Sequence, residues 1–196
     1  MSRYSDSDPY IDPATRVLIN RLGITDQSTL EQIEAALVAT RSYEVSQTPL
    51  KGRFDLAHLQ AIHKHLFGDL YEWAGQLRTV DINKGGNRFA NHMQIESAAA
   101  PIFRQLAKEK HLAGLGAEAF SDRAAHYLGE LNALHPFREG NGRAQREFIS
   151  HLANANGYYV AWENTAPSDL LAATIASFRG DTSALVRLIL ENLSDA

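Results

Sequence analysis

Apolar residues recur every three or four positions along most of this chain, which is the period of one face of an α-helix. Val17, Leu18, Ile19 and Leu22 predict a helix over 15–22, stopped at Gly23. Leu30, Ile33, Leu37 and Val38 predict a second, with Ser28 and Glu31 at capping-box spacing. Asp55 heads a run of Leu56, Leu59, Ile62, His63 and Leu66 that ends at Gly68. Ile102, Phe103 and Leu106 mark a helix over 96–112. Phe120, Ala124, Tyr127, Leu128 and Leu131 mark one over 117–134, and Phe148, Ile149 and Leu152 one over 142–156. Ser168 is placed to cap a helix over 170–178, and 182–193 reads as the last.

One stretch breaks the helical rhythm. Residues 77–82, Leu-Arg-Thr-Val-Asp-Ile, alternate apolar and polar positions as a strand does. Lys84-Gly85-Gly86-Asn87 then offers turn residues, and 89–95 can return. The expectation is an all-α helical bundle with one small β-hairpin. A lone hairpin is marginal in water, so this one must lie on the helices or be completed by another chain. No internal repeat and no Pro/Gly/Ser-rich linker divides the chain. It therefore reads as a single domain over 13–196 after a flexible start over 1–12.

Composition narrows the class. At 44% hydrophobic, the 196 residues can bury a full core. Nineteen basic against 23 acidic residues leave a net charge of −4, which argues against direct nucleic-acid binding. With no cysteine, thiolate metal sites, disulfides and Cys nucleophiles are excluded. No run is long and apolar enough for a membrane span, and the start lacks the basic-then-apolar order of a secretory signal. A cytoplasmic protein without a membrane partner is expected.

The chemistry concentrates in His135-Pro-Phe-Arg-Glu-Gly-Asn-Gly-Arg-Ala-Gln-Arg146. Pro136 disfavours helical geometry at His135, so the preceding helix should end there. Gly140, Asn141 and Gly142 permit a tight loop with inward N–H groups at the mouth of a helix, which is an anion site. Arg143 and Arg146, three apart, share one face of the first turns. Two cations at a helix N-terminus oppose its dipole, so a bound polyphosphate is the economical reason for them. Glu139 beside such phosphates calls for a cation between them, with Mg²⁺ the usual one. His135 titrates near neutrality and is placed to act as a general base. Singly, each of these is an ordinary helix end, turn or solvated face; it is their convergence within twelve residues that points to a site.

This segment resembles the signature of the Fic family, His-x-Phe-x-[Asp/Glu]-Gly-Asn-Gly-Arg-x-x-Arg, at every fixed position. Tyr71-Glu-Trp-Ala-Gly-Gln-Leu-Arg-Thr-Val-Asp-Ile82 and Lys84-Gly85 are similar to the lead into that family's flap hairpin. The resemblance covers a core of about 56–178, with the flap at about 77–95. It implies a protein adenylyltransferase that moves AMP from ATP to a Ser, Thr or Tyr hydroxyl of a target protein. In that case His135 deprotonates the hydroxyl and Glu139 holds Mg²⁺. Gly140, Asn141 and Gly142 form the anion hole, Arg143 contacts the phosphates and Arg146 meets the γ-phosphate. Phe137 anchors the loop, while Lys84 and Gly85, near the flap tip, meet the target or the nucleotide. The target docks on the flap by strand addition.

Many Fic proteins are silenced by a helix bearing [Ser/Thr]-x-x-x-Glu-[Gly/Asn]. Here Thr40 and Glu44 have the first spacing but Val45 follows, and Glu191-Asn192 has Arg187 in the Ser/Thr place. The resemblance thus implies inhibition in trans, by a small antitoxin protein supplying that helix. Transfer of UMP or phosphocholine by the same scaffold, and nucleotide binding without transfer, stay open on sequence alone.

Overall fold

In a computed structural model, the structure describes residues 8–84 and 87–196. Seven α-helices are found among them: α1 (Gln27–Gln47), α2 (Leu56–Phe67), α3 (Ile95–Lys108), α4 (Ala117–Leu134), α5 (Asn141–Ala155), α6 (Pro167–Phe178) and α7 (Ser183–Glu191). Two-residue strands β1 (Asn83–Lys84) and β2 (Asn87–Arg88) pair antiparallel, Asn83 opposite Arg88. A second antiparallel pair, β3 (Tyr158–Val160) and β4 (Leu193–Asp195), sits Val160 opposite Leu193. The expected all-α class with a small hairpin holds, and the β3–β4 pair is an addition to it.

Helices α4 and α5 form the centre. Phe120, Ala124 and Leu131 of α4 and Phe148, Ile149 and Leu152 of α5 are fully buried. Helix α2 packs on α5 and α1 on α2, while α6 and α7 cover α4. The stops read from the sequence work as expected at α2, where the Asp55 carboxylate accepts the His58 N–H and the Gly68 N–H bonds to the Lys64 carbonyl.

Elsewhere local signals were overridden. Residues 15–22 are not a helix. The Asp12 carboxylate gathers the Ala14 and Thr15 N–H groups into a turn, and Ile11 pairs with Leu18. Val17 and Leu18 are buried from this turn rather than from a helix face. Nor are residues 8–12 loose, since Tyr10 and Ile11 belong to the core; residues 1–7 lie outside the described residues. The cap of α1 is Asp26, which accepts the N–H and hydroxyl of Thr29, so Ser28 is already inside the helix. Helix α6 starts at Pro167, whose fixed φ suits the first helical position, and Ser168 follows it.

The hairpin is much shorter than the alternation over 77–82 and 89–95 suggested. The Arg78 N–H bonds to the Pro136 carbonyl, so this stretch pairs with the motif loop instead of a strand. On the return side, Asn91 caps a 3₁₀ turn and α3 begins at Ile95. At the far end, Leu193 leaves the expected last helix to join β4.

Candidate active site

Helix α4 ends where proline dictates. His135 takes the left-handed region at φ 46° and ψ 61°, and its N–H still reaches the Leu131 carbonyl. The chain then turns inward, burying Phe137 completely in stacking contact with His63, at 3.9 Å between ring centres. Asn141 closes the loop: its Oδ1 accepts the Phe137 N–H at 2.9 Å, and its Nδ2 donates to the Phe137 carbonyl at 2.8 Å. Gly140 adopts φ 77°, and a Cβ there would lie 2.4 Å from the Phe67 ring. No side chain caps α5, so the N–H groups of its first turn keep the positive end of the helix dipole.

Two contacts hold the loop from below. His63 Nδ1 accepts the Gly75 N–H, which leaves Nε2 to donate to the Glu139 carbonyl at 2.9 Å. Burial pulls His63 down to about 4, so it is a neutral staple. Arg138, the variable motif position, donates through Nε and Nη2 to the buried Asp8 carboxylate. The Glu139 Oε1 accepts the Gly140 N–H, which orients this half-buried carboxylate at the loop. One carboxylate beside the open N-terminus of a helix is a hard-oxygen donor that fits Mg²⁺, an ion bound largely through phosphate and water oxygens.

The two motif arginines have different fates. Arg143 Nη2 meets Glu34 Oε1 of α1 at 2.5 Å, and its guanidinium lies 4.8 Å over the Phe67 ring. Tyr71 donates its hydroxyl to the other Glu34 oxygen. Burial and the Glu34 charge hold that phenol well above its ordinary range, so it stays a donor. Arg146 faces a cavity instead. No carboxylate forms an ion pair with it among the described residues, and burial and the Arg143 charge lower its pKa. Of the two cations opposing the α5 dipole, Arg143 forms an ion pair among the described residues and Arg146, with only the longer-range pull of Glu147, does not.

The cavity holds about 860 Å³, within the range of small-molecule sites. His135, Gly142, Gln145 and Arg146 line one side, and Leu170, Thr174, Ile175 and Phe178 of α6 line another. Trp162 and Phe89 complete the wall. The His135 Nδ1 lies 3.3 Å from the Asn132 carbonyl, which places the proton on Nδ1 and makes Nε2 the basic nitrogen. Its ring stacks on Phe89 at 3.8 Å.

The structure thus gathers His135, Gly142 and Arg146 on one cavity. It sets Glu139, Gly140 and Asn141 in the adjoining loop and turns Arg143 to α1. Lys84 lies in β1, and Gly85 falls outside the described residues. Sequence reasoning missed Glu34, His63, Arg78, Phe89 and the α6 wall. The signal for Arg78 was a charged side chain read as ordinary strand alternation, and for His63 a polar side chain counted within the apolar run of its helix.

The Fic/DOC family profile matches residues 53–153. The chain is 51% identical over all 196 residues to the protein adenylyltransferase VbhT of Bartonella schoenbuchensis, spanning 41% of that protein's length. It is 40% identical to a probable protein adenylyltransferase Fic of Salmonella typhimurium, covering 96% of this chain and 94% of that one. Among solved structures, BepC from Bartonella tribocorum with bound AMPPNP superposes with a TM-score of 0.90 at 28% identity, covering 95% of this chain and 97% of that one. A Bartonella quintana Fic domain with bound ADP does so at 0.90 and 27%, covering 95% and 94%. The loop geometry, the full motif and these similarities lead to one assignment: the chain belongs to the Fic/DOC family.

Proposed function

We infer that this chain is a protein adenylyltransferase, moving AMP from ATP to a Ser, Thr or Tyr hydroxyl of another protein. The observation that carries this is Arg146, a half-buried cation without a carboxylate partner among the described residues, on the same cavity wall as His135. An anion that reaches Arg146 therefore lies beside a general base. The names of its relatives and the nucleotides bound in similar Fic structures support ATP as that anion's source.

The chemistry follows from the geometry. Neutral His135 takes the hydroxyl proton on Nε2, and the Asn132 carbonyl stabilises the resulting imidazolium through Nδ1–H. The hydroxyl oxygen forms a bond to the α-phosphorus, the α–β bridging bond breaks, and pyrophosphate departs with the electron pair. Backbone N–H groups of Asn141 and Gly142, at the positive end of α5, face the phosphate charge, the Gly140 N–H being held by Glu139, and Arg146 takes the terminal phosphate. Glu139 is the residue that would hold Mg²⁺, which neutralises phosphate charge when bound. Strands β1 and β2, with Lys84, offer an edge for the target's backbone.

Neither half-match to the inhibitory helix stands at the cavity. Glu44 pairs with Arg41 and sits near His65, and Glu191 ends α7. This supports inhibition by a separate antitoxin chain. No helix among the described residues is long and apolar enough to cross a membrane, and a cytoplasmic setting supplies the ATP.

The test is transfer of label from α-labelled ATP with Mg²⁺ to proteins of a host lysate. The native chain is expected to label a target. His135→Ala is expected to lose labelling while binding ATP as the native chain does. Equal labelling by the two would reject the role of His135, and ATP binding without transfer by either would favour a binding module.

A further inference from the structure

Arg78 is a cation with no place in the reaction above, yet its side chain is 0% exposed. Burying a guanidinium is costly unless its donors are satisfied. Here they are met by carbonyls, because the nearest carboxylate, Asp81, stands 3.7 Å away. Arg78 Nε donates to the His135 carbonyl at 2.8 Å. Nη1 donates to the Val80 carbonyl at 2.8 Å, and Nη2 to the Ala90 carbonyl, with Leu134 at 3.5 Å. The backbone N–H of Arg78 adds the Pro136 carbonyl at 2.9 Å.

These acceptors are not a random set. Val80 precedes β1 and Ala90 follows β2, so one fork grips both arms of the flap. The third acceptor is the carbonyl of His135 itself, a non-glycine residue in the left-handed region that needs outside support. The Ala90 N–H also bonds to the Ala133 carbonyl. Ala90 is therefore held on both sides, and its neighbour Phe89 is delivered onto the His135 ring at 3.8 Å and against Phe178 at 5.6 Å. The same guanidinium fixes the imidazole's backbone and, through Ala90, the aromatic plate against its face.

We propose that Arg78 is a positioning residue that locks the flap base to the catalytic histidine, so that the edge receiving the target and the base activating its hydroxyl move as one unit. This rests on the adenylyltransferase reading and adds to it how flap and base are registered. A lysine cannot replace the fork, since a single ammonium lacks the planar array of five donors that spans carbonyls from three segments.

The test uses Arg78→Lys in the full chain, with two readouts. The first is the NMR shift of the His135 ring protons in the free protein, which the stacked Phe89 ring displaces. Arg78→Lys is expected to lose that displacement. The second is steady-state transfer: kcat is expected to fall by about 10- to 100-fold, the cost of a misplaced reacting group, with the KM for ATP unchanged. Retention of both the ring shift and kcat overturns the proposal. So does a fall in ATP affinity and melting temperature with the ring shift retained, which marks Arg78 as merely structural. If Arg78→Lys does not fold, Phe89→Leu tests the same link: kcat is expected to fall, and an unchanged kcat overturns the proposal. The NMR readout needs no transfer, so it decides the point even if the native chain transfers nothing, the outcome that would reject the adenylyltransferase reading instead.

Discussion

At the scale of single residues, Gly140 shows how little room the motif loop has. It combines φ 77° with a Phe67 ring 2.4 Å from where a Cβ would stand. Gly140→Ala adds a strained left-handed alanine to a steric clash, each worth about 1–3 kcal/mol. It is expected to destabilise the chain by about 2–6 kcal/mol on those grounds, read as a lower urea midpoint at constant slope. The glycine was legible as a loop residue from its neighbours. The ring that forbids any side chain was not, because Phe67 arrives from α2. Arg143 and Arg146 make the same point with charge. Their spacing put them on one helical face, and that much is true. Which of them is taken up by Glu34 and which is left for a ligand depends on a carboxylate 109 residues away in sequence.

At the scale of elements, α1 is tied to α5 by that carboxylate. Glu34 is 8% exposed and serves two donors, the Tyr71 hydroxyl and the Arg143 guanidinium. Glu34→Ala strands a buried phenol and a half-buried cation, a loss of about 2–4 kcal/mol. Glu34→Gln keeps an acceptor and is expected to recover part of it; thermal melts of the two variants check both statements. The flap shows where element prediction from pattern fails. Alternation over 77–82 is real, but the N–H of Arg78 is consumed by Pro136 and its side chain by three carbonyl-bearing segments, so no long ladder forms. By contrast, the boundaries of α2, α4 and α5 were legible, because Asp55, Gly68, Pro136 and Gly140 act on their own few residues.

At the scale of the whole molecule, the cavity exists only because α6 returns to face the start of α5 across a gap lined by Phe89 and Trp162. Stability also carries a whole-molecule signature in pH. Burial raises Glu147 to about 7 from 4.5, against the opposing pull of Arg146, with His151 Nε2 3.6 Å away. A raised carboxyl pKa contributes stability below 4.5 that is lost as pH rises through about 7. Glu147→Gln removes that loss. Its stability relative to the native chain is expected to increase across this window by at most about 3 kcal/mol, measured by urea denaturation at stepped pH; a difference that stays flat or changes sign contradicts it. His63 and His151, each pulled down to about 4 by burial, act oppositely, withdrawing stability as pH falls below 6.5. The sequence by itself determined the helical class, the motif loop with its base and its unbalanced cations, and the family resemblance, because all of these are written in contiguous residues whose effects reach one or two turns. Only the tertiary structure decided which arginine Glu34 takes, that Arg78 spans 57 residues to hold His135, that Asp8 pins Arg138 and that α6 walls the cavity. The physical reason is that a buried charge takes whichever partner the packed chain brings within hydrogen-bond reach, and sequence distance does not limit that choice.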